Sequence, residues 1–150
     1  MGIRVTFNGT EYTIPAPGET GWATSLNEYL SALGAATVVV PPTWTDVSSF
    51  SNGWVEYNAS YVGCRYCLDD LNFVHIELTM KQGTLGAVAF TLPAGFRPPK
   101  TVMSSAWVSD GMGGTNNIGR VIVEPSGNVT LSANSGYNST FAATFSFSVD

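Results

Sequence analysis

The sequence predicts a mainly β protein: a small N-terminal hairpin-plus-helix module over residues 1–40, followed by an antiparallel β-sandwich of jelly-roll type over residues 41–150. Three observations carry this reading. From Trp44 onward, strand signals recur at short intervals with turn residues between them, near 53–58, 60–67, 73–81, 85–92, 101–108, 119–124, 128–133 and 140–149. Two of these runs alternate by side-chain type, as half-buried strands do. Before them stand a hairpin signal and one helical periodicity, set apart by Pro41-Pro42.

The hairpin is read from Ile3 to Ile14. Asn8-Gly9 between alternating residues favours a two-residue turn with positive φ. That turn sets Phe7 opposite Thr10, Val5 opposite Tyr12 and Ile3 opposite Ile14, all on one face. Residues 15–21 then break the strand. Trp22, Leu26, Tyr29, Leu30 and Leu33 follow at the spacing of one helix face, with Gly34 as the expected stop. A segment of this size seldom folds without staples or partners. Val5, Phe7, Tyr12, Trp22, Leu26, Tyr29, Leu30 and Leu33 are therefore the candidate docking and assembly residues. They would dock on sister subunits, on a larger scaffold, or on the chain's own sandwich.

In the second module, Val74, Ile76, Leu78 and Met80 form one strand face, and Phe73, His75, Glu77, Thr79 and Lys81 the other. Near the C-terminus, Phe141, Ala143, Phe145, Phe147 and Val149 alternate with small polar residues. The strand ending at Leu92-Pro93 should turn a rigid corner through Ala94-Gly95, because Pro93 has no N–H for a ladder. Phe96 and Arg97 are expected to be exposed on that corner.

Charged residues make up 11% of the chain against a usual share of about 25%, with Ser, Thr, Asn and Gly in their place. The net charge is −5, and no run of Lys or Arg exists, which argues against a nucleic-acid groove. No stretch approaches the roughly 20 apolar residues of a membrane span. Met1-Gly2-Ile3-Arg4 lacks the features of a signal peptide, so synthesis in a cytoplasm is expected, with exit as part of something larger.

The chemistry-bearing residues are few. Cys64 and Cys67 form a C-x-x-C without the second pair that a zinc site needs, and are read as thiols in or beside a strand. His75, the sole histidine, neighbours Glu77 on the polar strand face, a poor basis for acid–base catalysis. No catalytic residue, metal ligand or cofactor is assigned. The loop Asp110-Gly111-Met112-Gly113-Gly114-Thr115-Asn116-Asn117 has no phosphate-loop lysine. It is either a plain connection or a recognition loop carrying Asp110, Met112, Thr115, Asn116 and Asn117. Trp44, Trp54, Tyr57, Tyr61, Tyr66, Phe96, Trp107 and Tyr137 form a pool from which sugar-stacking rings and core rings would both be drawn.

One resemblance adds to this. Val74-His75-Ile76-Glu77-Leu78, Gly83-Thr84-Leu85-Gly86, the run from Ala89 through Phe90-Thr91-Leu92-Pro93-Ala94-Gly95-Phe96-Arg97-Pro98-Pro99, Gly119-Arg120-Val121-Ile122-Val123 and Ser126-Gly127-Asn128-Val129 resemble head domains at the ends of tailed-bacteriophage fibres and minor tail proteins. Val5 to Trp22 and Asn27 to Leu30 are similar to a short module of phage virion proteins. The resemblance implies a non-enzymatic, homotrimeric knob on the virion surface, made in the host bacterial cytoplasm. It carries over no active-site residue. Fibres of this type usually have a long shaft before the head, and here only about 40 residues precede the sandwich. That favours a capsid decoration or cement protein seated on the major capsid protein. The alternative is a tail-fibre head, held by tail proteins, that recognises host surface glycans.

Overall fold

The computed structural model describes the chain except residues 1, 2, 8, 17, 19, 37–40 and 112–115. It divides into two compact units, Met1–Val40 and Pro41–Asp150.

In the first unit, β1 (Ile3–Phe7) and β2 (Thr10–Ile14) pair antiparallel, with Ile3 opposite Ile14, Val5 opposite Tyr12 and Phe7 opposite Thr10. Gly9 takes φ 76°, the left-handed geometry that the tight turn requires. Helix α1 spans Trp22–Ala36. It runs through Gly34 instead of stopping there, carried by the strong helix formers Ala32, Ala35 and Ala36. Tyr29 meets Tyr12 edge to face at 5.7 Å and ties helix to hairpin. No described side chain of this unit is buried, and Leu26 and Leu30 remain 39% and 50% exposed.

The second unit is a nine-stranded antiparallel sheet curled into a half-barrel around one core. Its strands are β3 (Thr45–Asp46), β4 (Val55–Glu56), β5 (Arg65–Leu68), β6 (Phe73–Lys81), β7 (Val88–Thr91), β8 (Val102–Ser109), β9 (Asn116–Val123), β10 (Asn128–Ala133) and β11 (Thr140–Ser148). The order across the sheet is β3-β5-β6-β11-β8-β9-β10-β7, with β4 sharing the β5 edge of β6. The β6–β11 ladder runs from Phe73/Ser148 to Met80/Phe141. By contrast, β11 and β8 pair only through Thr140–Ala142 and Trp107–Ser109. The strands form one hydrogen-bonded path, and a single core cluster draws on residues from both sides of that short pairing.

Alternation places the core. Val74, Ile76, Leu78 and Met80 of β6 point inward with Phe141 and Phe147 of β11. They meet Val121 and Val123 of β9, Val129 and Leu131 of β10, and Ala89 and Phe90 of β7. Trp54 is buried edge to face on Phe141 at 5.5 Å. A Cβ on Gly83 would fall within the Trp54 ring, so the glycine is a packing requirement.

Local chemistry moved several boundaries. Of the run 60–67 only Arg65–Cys67 is strand, and β5 continues to Leu68. Asn58 captures the chain before it: its side chain accepts the Ser60 N–H at 2.9 Å and its carbonyl accepts the Tyr61 N–H at 3.3 Å. That is an Asx turn, which competes with a ladder. The two-residue β3 has no alternation to read. At the proline corner, Phe96 and Arg97 are not displayed outward. Gly95, at φ 90°, turns Phe96 back against the core, edge-on to Tyr66 at 4.8 Å. Arg97 Nε donates to the Leu92 carbonyl at 2.9 Å.

Candidate functional site

The outer face of β6, β11 and β8 carries the candidate site. Thr79, Ala142 and Trp107 are register partners in one row across the three strands. The Tyr57 N–H donates to the Thr79 carbonyl at 3.0 Å, which sets Tyr57 beside that row. The Asn58 turn brings Tyr61 back onto Tyr57, with centroids 5.1 Å apart and planes at 81°. Together Tyr57, Tyr61, Thr79, Trp107, Thr140 and Ala142 line a cleft of about 300 Å³. Tyr61 and Trp107 stay 58% and 46% exposed, large values for rings that stand beside a closed core.

The lining offers three aromatic rings, phenol and threonine hydroxyls and a methyl floor. Among its described residues it holds no carboxylate and no cation. The nearest ammonium, that of Lys81, lies 5.4 Å over the Tyr57 ring as a cation–π partner. A second concavity, of about 220 Å³, lies on β9–β10 between Ile118–Arg120 and Ser132–Asn134. Ile118 is the cross-strand partner of Trp107 and is 83% exposed.

The aromatic pool is now sorted. Trp54 is core, Tyr66 and Phe96 meet edge to face at the core margin, and Tyr137 packs against the core. Trp44 lies under the Arg65 guanidinium at 4.5 Å. Tyr57, Tyr61 and Trp107 remain, joined from segments 46 residues apart along the chain (107 − 61). Nothing local in the sequence linked Trp107 to the two tyrosines.

Of the proposed recognition loop, Met112 and Thr115 lie outside the described residues. Asn116 and Asn117 open β9 as partners of Ser109 and Val108. Asp110 is half-buried at the strand end, where the Gly111 N–H donates to Ser109 Oγ at 3.1 Å. The loop leaves the sheet two residues beyond Trp107, at the same end as the cleft. Of the docking set, Val5, Tyr12, Tyr29 and Leu33 are half-buried, Leu26 and Leu30 are exposed, and the side chains of Phe7 and Trp22 lie outside the description.

His75 does not pair with Glu77. Its Nε2 lies 2.8 Å from Asp69 Oδ2 and its Nδ1 2.8 Å from Ser146 Oγ. Glu77 instead binds Arg65, 2.7 Å from both Nε and Nη2. The other Asp69 oxygen accepts the N–H groups of Leu71 and Phe73, each at 2.9 Å. The hydrogen bond from His75, then those from the backbone, hold the Asp69 carboxyl below the usual range. Hydroxyl, imidazole and carboxylate follow one another as in an acyl-transfer triad. Here, though, Asp69 caps the β5–β6 turn and Ser146 is the ladder partner of His75. The trio ties that turn to β11.

Cys64 and Cys67 are free and buried. Cys64 belongs to the core cluster, and Cys67 pairs with His75 in the ladder. Burial pushes the Cys64 thiol up to about 12, which makes it a poor nucleophile and metal ligand. Among the described residues, no group of three or more His, Cys, Asp or Glu could hold a metal, and no helix is long and apolar enough to cross a membrane.

No protein-family model matches the chain, and neither does any curated protein sequence. Solved structures do. The fold is similar to the head domain of lactococcal phage bIL170, described under the question of a common fold for the receptor-binding domains of lactococcal phages. That match has a TM-score of 0.53 and 15% identity, and covers 72% of this chain and 98% of the other. The fold is also similar to the receptor-binding protein (gp15) of Listeria phage PSA, with a TM-score of 0.59, 13% identity and coverage of 86% and 81%. This chain has the fold seen in phage receptor-binding heads.

Proposed function

We propose that this protein is a non-enzymatic virion component of a tailed phage, and that it serves as a receptor-binding head for saccharides on the host surface. The observation that carries the reading is the fold, which matches a phage receptor-binding head over 98% of that head's length. The half-exposed aromatic cleft supports it, because receptor recognition needs a partly apolar, partly hydroxylated concavity on the outer surface. The charge-poor, hydroxyl-rich composition agrees with an extracellular role.

This receptor-binding reading is better supported than the capsid decoration reading, for which the structural likenesses give no support. One observation still speaks for a docking role of the first unit: its described apolar side chains find no buried place within Met1–Val40. We read that unit as the attachment module, and the assembly as a closed homotrimer seated on other virion proteins.

Gold-labelled antibody imaging of intact virions tests the assignment. Gold confined to the tail end is the expected result. Gold distributed over the head would replace it with a decoration protein, whose mark would then be a shift in capsid melting.

A further inference from the structure

The cleft between Tyr57, Tyr61 and Trp107 has a lining that selects one kind of ligand. Its rings present apolar faces bearing the negative side of the aromatic quadrupole, which attracts the weakly positive C–H groups on one face of a sugar ring. Tyr57, Tyr61, Thr79 and Thr140 add hydroxyl groups to the lining, each able to donate to and accept from a sugar hydroxyl. The floor under the row is the Ala142 methyl, short enough to leave room for a flat guest. The volume of about 300 Å³ lies at the small end of ligand sites and suits one sugar ring of a longer chain better than a large compact ligand.

Charge excludes the other obvious guests. A phosphate- or carboxylate-bearing unit needs a paired cation or converging N–H donors. Among its described residues the lining holds no cation and a single indole N–H, that of Trp107, and the ammonium of Lys81 lies over the Tyr57 ring. The chain's net charge of −5 repels polyanions as well. A cationic ligand would find no carboxylate in the lining.

We propose that the Tyr57–Tyr61–Trp107 cleft is a subsite for an uncharged pyranose unit, stacked on Trp107 and Tyr61 and held at its rim by hydroxyl groups. The inference rests on the receptor-binding reading and adds the site and the class of ligand. The neighbouring exposed side chains Ile118 and Met103 lie on the same sheet face, so a second copy of this chain is the competing occupant.

The test uses the full chain on intact host cells and on an array of neutral, carboxylate-bearing and phosphate-bearing oligosaccharides, each at low and high salt. Trp107→Ala and Tyr61→Ala should each weaken binding by about tenfold or more, the scale of one lost aromatic contact. Their melting and association state should stay unchanged. Met103→Ala, outside the lining, should bind like the parent. Binding should favour neutral oligosaccharides and resist salt.

Cell binding that survives both aromatic substitutions would overturn the site while leaving the receptor-binding function in place. Binding confined to anionic oligosaccharides and lost in salt would overturn the ligand class. A changed association state in Trp107→Ala would assign the cleft to contacts between copies. A parent protein that binds neither cells nor array would sink the functional reading itself.

Discussion

In Met1–Val40 the joined elements are near neighbours in sequence: a hairpin across Gly9, and a helix touching that hairpin through Tyr12 and Tyr29. In Pro41–Asp150 the central ladder joins His75 to Ser146, 71 residues apart, and the core draws on β4's neighbour Trp54 as well as on β6 to β11. The first unit is written almost wholly in local signals, yet none of its described side chains is buried. The second has weaker local signals and a closed core. Local legibility and independent stability are therefore different properties. Propensity shapes a hairpin or a helix, but burial of apolar surface is what outweighs the entropy of ordering it.

The largest effect should come from separating the units. A fragment of residues 41–150 should melt cooperatively, whereas residues 1–40 alone should give a largely unfolded circular dichroism spectrum. An isolated hairpin and a four-turn helix are each marginal in water. A folded, monomeric 1–40 peptide would dissolve the contrast.

Phe141→Ala comes next. It empties the space beside Trp54 and beside Met80, the ladder partner of Phe141, and should cost about 3–5 kcal/mol in urea unfolding. Gly83→Ala, which drives a methyl into the Trp54 ring, should cost about 1–3 kcal/mol. If Gly83→Ala were neutral, Trp54 would not be packed against that turn.

The acid response should be smaller and directional. Because the folded Asp69 carboxyl is held below its ordinary value of about 3.9, its stabilising effect is complete above that pH. It is lost as pH falls through the lower folded value. The stability gap between the parent and Asp69→Asn should thus be constant from neutral pH down to about 5 and close at more acid pH. Urea midpoints along that series measure it. A gap that stayed the same through acid pH would mean that the folded chain does not hold the Asp69 carboxyl below its ordinary value.

Smallest in stability is Leu30→Asp. At an exposed helix position it should change unfolding by no more than about 0.5 kcal/mol, while virions fail to incorporate the protein. Normal incorporation would remove the attachment role from the helix.

The hairpin register, the inward sides of β6 and β11 and the existence of α1 could all be written down from the residues. A two-residue turn sets every pair beyond it, and periods of 2 and 3.6 report which side is covered. The proline corner was visible too, but not the direction of Phe96, because a turn residue's local geometry does not say which ring awaits it. His75 was legible as a polar-face residue beside Glu77, but its partner was not: the turn below delivers Asp69 to the imidazole, while Glu77 binds Arg65.

The candidate cleft lies furthest from local reading. Periodicity alone decides that Trp107 and Thr79 face outward, since alternation on a strand follows from backbone geometry. Which aromatic residues become a surface and which a core is settled by long-range register. Thr79, Ala142 and Trp107 are aligned by ladders among three strands, and the Asn58 turn folds Tyr61 over Tyr57. Trp54 and Trp107 are the same residue type in similar sequence surroundings. One is enclosed by Phe141 and Gly83, and the other stays 46% exposed in a cleft on the outer face of the sheet.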